Sequence, residues 1–304
     1  MTFSAAELAE RRNFIGASEC AAALGLSPFF SSVELYLDKI GQGTPIDETI
    51  PMMVGTALEP VTIALFERET GHTVSQRQHK FVDPTTAWRR ASVDGMAEDG
   101  WIVEAKTSGD FRGWGDGDDE IPEHYLFNAA HSLACVPDAP GVYFPVLVGG
   151  RTYKHYRVKR DEDLIELVRA GEANFMELVA TRKPPEPTSV DDVKRLYPRD
   201  NGQGITATPE IERLALEVAK LKAQAKQVEE ATQDALTQIC SFLGPYSTLR
   251  RVSLIGALGT PLATWNSQDE NRVDPAALRA NYPDVAKAVT KQTTIRKYLN
   301  KVKV

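Results

Sequence analysis

The sequence predicts a mixed α/β fold: a central sheet with strands of mixed direction, helices on its flanks, and a helical, partly β C-terminal extension. Three observations point there. Short runs rich in β-branched and aromatic residues fall in two groups, near 74–82, 87–94 and 101–107, then 141–148 and 151–159. A helical stretch at 121–136 separates the groups, and other helical stretches precede and follow them, the order expected of a sheet covered by helices. The chain has 304 residues, 42% of them hydrophobic, enough for one sizeable core and an appendage.

Each element has a local reason. Residues 4–40 read as short helices punctuated by Ser27-Pro28 and Gly41-Gln42-Gly43. Residues 54–70 carry a helical pattern, and Pro60, unwelcome in a helix interior but suited to a first turn, puts the start of that helix near itself. Helices are expected at 161–182 and 189–197, with the break Pro184-Pro185-Glu186-Pro187 between them marking the edge of a core spanning 1–185. A helical arm over 186–245 follows. Thr208-Pro209-Glu210 supplies its cap and first-turn proline, and Ile211, Leu214, Val218, Leu221, Ala225 and Val228 recur in steps of three and four on to Ile239. That seam suits either a coiled-coil arm or a long helix packed within its own domain. The remaining 246–304 reads as a small basic α+β tail, with strands from Leu249 to Ile255 and Leu262 to Trp265, then a helix around Pro275 to Ala280.

Composition excludes several classes. No apolar run reaches 18 residues, so no membrane span is expected. The N-terminus, Met1 to Glu7, lacks the basic and apolar parts of a secretory signal. Cys20, Cys135 and Cys240 lie far apart, with no zinc, iron–sulfur or disulfide spacing, which fits a reducing cytoplasm. The net charge of −7 is uneven: the last 59 residues carry +6 and the rest −13. An acidic body with local basic patches can still bind nucleic acid if the patches line its path.

The chemistry concentrates in Asp94-Gly95 and, ten residues on, Glu104-Ala105-Lys106 within the apolar run from Trp101. In a strand, residues two apart share a face, so Glu104 and Lys106 project together. Asp94 can close a carboxylate pocket with Glu104. Two carboxylates hold a hard cation such as Mg2+, and a lysine beside them can orient or activate water for attack on a phosphodiester. Read alone, Glu-x-Lys is more often a solvated pair, but a buried strand makes unpaired carboxylates costly. Glu59 shares a helical face with Ile63 and Phe66 and so looks inward, where a cation would partner it. Ser18 suits an N-cap for a helix through Cys20 to Leu24, and Arg11 adds charge for a terminal phosphate. Tyr125 and Asn128 share a face of the helix opened by Ile121-Pro122. Of Arg89 and Arg90, only one can face the groove, since strand neighbours alternate.

Arg11 with Ile15-Gly16-Ala17-Ser18, Gly55-Thr56-Ala57-Leu58-Glu59, Ser92-Val93-Asp94-Gly95, Glu104-Ala105-Lys106 and Ile121-Pro122-x-x-Tyr125 stand in order, and together they resemble the YqaJ-type viral recombinase family, which includes the phage lambda exonuclease within the PD-(D/E)XK nuclease superfamily. The resemblance covers about residues 11–185. It implies a restriction-endonuclease-like nuclease core in which Asp94, Glu104, the carbonyl oxygen of Ala105 and Glu59 hold metal and Lys106 serves the nucleophilic water. Arg11 and Ser18 match positions that receive a 5′-phosphate. Tyr125 matches a tyrosine three residues before a glutamine that helps hold water and lysine; here that residue is Asn128, one methylene shorter, and a second glutamine is Ala130. An active, slower enzyme is expected.

The implied activity is Mg2+-dependent (Mn2+ substituting) digestion of linear duplex DNA from the 5′ end, leaving 3′ overhangs. The implied partners are DNA ends, a phage single-strand annealing protein and further copies of the chain in a trimer, in the cytoplasm of a bacterial host. Two other readings stand beside it: an endonuclease or opposite-polarity nuclease on the same core, and a catalytically weak DNA-end-binding or scaffold protein.

Overall fold

The structure is a computed structural model and describes residues 9–43, 49–199, 202–246, 251–257, 259–266 and 274–290. Its contacts divide the chain into two units, Met1–Tyr197 and Pro198–Val304. The division falls later than the Pro-rich break because helix Val190–Leu196 is tied to the first unit. Asp192 accepts from Ser31 Oγ at 2.5 Å, and Arg195 pairs with Glu34 at 2.8 Å.

In chain order the first unit runs α1 (Ala17–Ala23), α2 (Ser32–Lys39), α3 (Ile50–Thr70), β1 (Val74–Ser75), β2 (His79–Asp83), β3 (Thr86–Val93), β4 (Gly95–Ala97), β5 (Ile102–Val103), β6 (Lys106–Ser108), α4 (Glu123–Cys135), β7 (Gly141–Val148), β8 (Thr152–Lys159), α5 (Glu162–Ala180) and α6 (Val190–Leu196). The sheet has the order β1-β4-β5-β7-β6, with β8 also paired to β7. β5 and β6 both run parallel to β7, while β1, β4 and β8 are antiparallel to their neighbours, so the sheet is mixed, as expected. β2 and β3 form a separate hairpin. Every residue of β7 but Tyr143 is buried, because α4 covers one face and α3 the other. Val142, Phe144 and Val146 pack with Leu133 of α4 and Ile165 of α5 in the main core.

Three expectations shift. The strand at 74–82 is broken into β1 and β2 because Gln76 and Gln78 take left-handed backbone angles (φ 47° and 54°). The run from Trp101 is split at Glu104-Ala105 into β5 and β6. α3 starts at Ile50, not near Pro60. Thr49 caps it and Pro51 fills its first turn, while Pro60 sits exposed inside it, on the side where the missing N–H meets solvent rather than core. By length and composition α3 is also apolar enough to cross a bilayer. Ile63 and Phe66 are nevertheless fully buried against the sheet, whereas Ile50 (76% exposed), Met52, Met53 and Val54 at its start face outward.

The second unit carries α7 (Pro209–Leu243), the hairpin of β9 (Arg251–Ile255) and β10 (Pro261–Asn266), α8 (Pro275–Asn281) and α9 (Pro283–Val289), the last not foreseen. Among the described residues only Ala219 and Leu243 of α7 are buried; Ile211, Leu214, Leu221 and Val228 of the seam are exposed. The expected basic end beyond Thr290 lies outside the described residues.

Candidate active site

Asp94 occupies the joint where the chain leaves the β2–β3 hairpin and enters the main sheet as β4. Gly95 follows because no side chain fits: a Cβ there would stand 2.3 Å from Val74 Cγ1. Asp94 Oδ2 accepts the backbone N–H of Ala105 at 2.8 Å. That N–H is thereby withdrawn from the strand ladder, which is why the run breaks at this point, although Glu104 N still donates to Tyr143 O at 2.9 Å. Across the break, Lys106 Nζ donates to Glu104 Oε2 at 2.9 Å. The expected shared projection of Glu104 and Lys106 is therefore seen.

Glu59 comes from α3. It is linked to Asp94 by Gln78, whose Nε2 donates to Glu59 Oε1 at 2.6 Å and reaches Asp94 Oδ1 at 3.5 Å. Sequence reasoning missed Gln78. Its only signal there is a polar interruption, Gln76-Arg77-Gln78, in a strand-like run. Gly55, a turn before Glu59, faces β6, where a Cβ would sit in ordinary contact 3.5 Å from Thr107 Oγ1.

The electrostatics are those of carboxylates short of positive charge. Burial raises the pKa of Asp94 and Glu104; Lys106 lowers both, and Asp94 further raises Glu104. Glu59 is also raised, by burial and then by Asp94. Burial acts against the charge of Lys106, but Glu104 and Asp94 outweigh it and raise its pKa. With bare carboxylates beside it Lys106 is thus an ammonium, a donor and not a base. Glu104 Oε1 is buried with no partner among the described residues, a costly state for a carboxylate oxygen. The carboxylates therefore fit a hard divalent cation: Asp94, Glu104 and Glu59 supply oxygen donors, one of them lacking any other partner.

Tyr125, on the first turn of α4, lies over this set, its ring centroid 5.6 Å from Lys106 Nζ. Asn128 is spent differently from the expected glutamine role. In the orientation that satisfies its amide, its nitrogen donates to His124 O at 3.1 Å and Ala17 O at 2.8 Å, bracing α4 against α1.

Ser18 is not the cap of α1. Gly16 is, with extended backbone (φ −96°, ψ 162°), and Glu19 reaches back to accept its N–H at 3.0 Å, leaving Ser18 exposed at the second helical position. Arg11 Nη2 lies 3.3 Å from Glu19 Oε1, and the buried Lys39 donates to Glu19 Oε2 at 2.7 Å and to the carbonyls of Arg11 and Phe14. Glu19 and Lys39 went unnoticed in the sequence, although glutamate three residues after a cap is a helix-start signature. Arg90 pairs with Glu10 at 2.8 Å, whereas Arg89 is turned into the protein.

Arg89 belongs to a second buried cluster. Its Nε donates to Glu172 Oε2 at 2.5 Å and its Nη1 to Asp83 Oδ2 at 2.8 Å. The other oxygen of Glu172 meets His131 Nδ1 at 2.6 Å, and His131 Nε2 meets the carbonyl of Arg90 at 3.0 Å. Cys20, His131 and Glu172 lie close enough to suggest a metal site. Two facts speak against it. Both imidazole nitrogens face acceptors, so both carry protons, and burial pushes the Cys20 thiol up to about 12. The cluster is a structural ion network that fixes β3, and so Asp94, against α4 and α5.

A mixed sheet thus brings Asp94, Glu104 and Lys106 together at a break in one strand, the grouping expected from the sequence. Residues 8–138 match the model of the YqaJ-like viral recombinase domain, the family that the motifs resemble. The uncharacterized protein YqaJ of Bacillus subtilis (strain 168) is 27% identical over 310 residues, 96% of this chain and 92% of that protein. Among solved structures, an alkaline exonuclease from Laribacter hongkongensis is similar, with a TM-score of 0.47 and 22% identity over 58% of this chain and 92% of its own. A phage related exonuclease from Haemophilus somnus 129PT has a TM-score of 0.44 and 12% identity, covering 56% of this chain and 96% of its own.

Proposed function

We propose that this protein is a divalent-metal-dependent deoxyribonuclease that digests linear duplex DNA from 5′ ends and leaves 3′ overhangs for recombination. The observation that carries the reading is the orphaned, buried Glu104 Oε1 beside Asp94, Glu59 and Lys106. The match of residues 8–138 to the YqaJ-like viral recombinase domain supports DNA as the substrate class. Mg2+ or Mn2+, bound by Asp94, Glu104, Glu59 and the Ala105 carbonyl, would supply Lewis acidity toward water and the scissile phosphate. The chain's own residues do the rest. Lys106 donates a hydrogen bond that orients the attacking water. Neutralising Glu104 and Asp94 removes the interactions that hold its pKa up, which brings it closer to proton transfer. Tyr125 packs over Lys106 and limits its positions. Arg11 and the start of α1 are the proposed receivers of the 5′-phosphate, with Lys39 and Glu19 holding Arg11 in place.

Action as a homo-oligomer is part of the proposal, supported by the outward-facing apolar start of α3. Work with a single-strand annealing protein in a bacterial cytoplasm completes it, the three free cysteines suiting a reducing compartment. The test uses 5′-phosphorylated linear duplex labelled at either end, and closed circular DNA, with and without Mg2+, beside Lys106→Ala. Mg2+-dependent loss from 5′ ends alone, abolished by the substitution, is expected. Cleaved circles would make it an endonuclease, and end binding without digestion in Mg2+ or Mn2+ would make it a scaffold.

A further inference from the structure

We propose that the ring of Phe29 is a stacking platform for a nucleobase of the DNA strand held at Lys106, continued inward by His124 and Tyr125; the proposal rests on the nuclease reading above. Phe29 lies in the loop joining α1 to α2 and is 73% exposed. This exposure is built in. Ser27 Oγ accepts the backbone N–H of Phe29 at 3.2 Å and of Phe30 at 3.5 Å, and Pro28 restricts the residue between. The turn sends the two phenylalanines to opposite sides: Phe30 packs with Ile15, Leu35 and Phe175, and Phe29 points out.

From Phe29 the rings step toward the candidate active site. Phe29 stands edge-on to His124, centroids 5.2 Å apart at 89°. His124 lies 4.1 Å from Tyr125, and Tyr125 is 5.6 Å from Lys106 Nζ. His124 is an uncharged ring at neutral pH, since burial and then the Lys106 charge both lower its pKa. Its Nε2 is buried without a partner among the described residues. A neutral imidazole between two other rings makes a poor phosphate contact and a good aromatic surface. Stacking is also the one contact every base offers, which suits an enzyme that must accept any sequence.

The test measures end binding by fluorescence anisotropy in EDTA, which separates it from cleavage. The probes are 5′-phosphorylated duplexes, intact or with an abasic residue at the first, second or third nucleotide from the 5′ end. The parent is expected to bind about tenfold more weakly when one of those bases is missing. Phe29→Ala should lose about the same factor on the intact end and no longer distinguish that abasic end from it, while Phe29→Trp, which keeps a ring, should behave as the parent. Equal affinities of Phe29→Ala and parent on every end would overturn the platform, as would a loss equal on intact and abasic ends. If the parent shows the abasic effect but shortens nothing in Mg2+ or Mn2+, the nuclease reading falls and the platform stands. A parent that binds no end overturns both.

Discussion

Asp94 accepts the backbone N–H of Ala105 at 2.8 Å, so one carboxylate oxygen fixes the chain at the break in the sheet while the other faces Gln78 and Glu59. The two tasks can be separated. Asp94→Asn keeps an acceptor for Ala105 but removes the charge. The expected result is a drop of more than tenfold in Mn2+ affinity by titration calorimetry, with urea stability within about 1 kcal/mol of the parent. Unchanged Mn2+ affinity would show that the cation, if bound, is held elsewhere.

Asn128 should behave as a structural residue. Asn128→Ala removes two side-chain hydrogen bonds, to the backbone oxygens of Ala17 and His124. A loss of about 1–3 kcal/mol in urea unfolding is expected, with Mn2+ affinity within about twofold of the parent. A large loss of Mn2+ affinity with little change in stability would return Asn128 to the cation site.

The ion network gives stability a pH dependence. Burial opposes the charge of His131, but Glu172 outweighs it and raises its pKa well above 6.5; Glu172, penalised by burial, is lowered by His131 and then Arg89. Asp83, Arg169, Cys20 and Cys135 complete the surroundings of the pair. A raised histidine contributes fully below its unfolded value of about 6.5 and progressively less as pH rises through the folded value. A lowered glutamate contributes above its unfolded value of about 4.3 and less as pH falls through the folded one. The urea midpoint of the parent should therefore decline above pH 6.5, and that of His131→Gln should be flatter over the same range. Parallel profiles would rule out a titrating His131.

The sequence made the chemistry legible where it is written in short spacings. Glu104 and Lys106 are two apart in a strand, and Glu59, Ile63 and Phe66 share a helical stripe, so side-chain direction follows from periodicity alone. What it hid depends on tertiary contacts. Gln78 reaches Glu59 and Asp94 only because two left-handed residues fold the turn back. Lys39 reaches Glu19 and Arg11 across a helix–helix contact, and Asp94 breaks the strand by taking an N–H eleven residues away. Ser18 misled because any serine before a helical run looks like a cap, while the deciding partner, Glu19, fixes the register at Gly16.

The +6 carried by residues 246–304 makes a further prediction. If that segment neutralises DNA phosphates, its deletion should reduce the slope of log affinity against log salt by about 0.9 for each phosphate it had neutralised. An unchanged slope would assign the basic charge to another use.

α7 spans 35 residues, so its axis measures about 52 Å. In physiological salt an electric field fades over roughly 8 Å, and the two tips of this rod are several such lengths apart. Charge at one tip is therefore silent at the other. The two ends of the helix are electrostatically independent, and a charge introduced near Pro209 should leave the groups around Leu243 untouched.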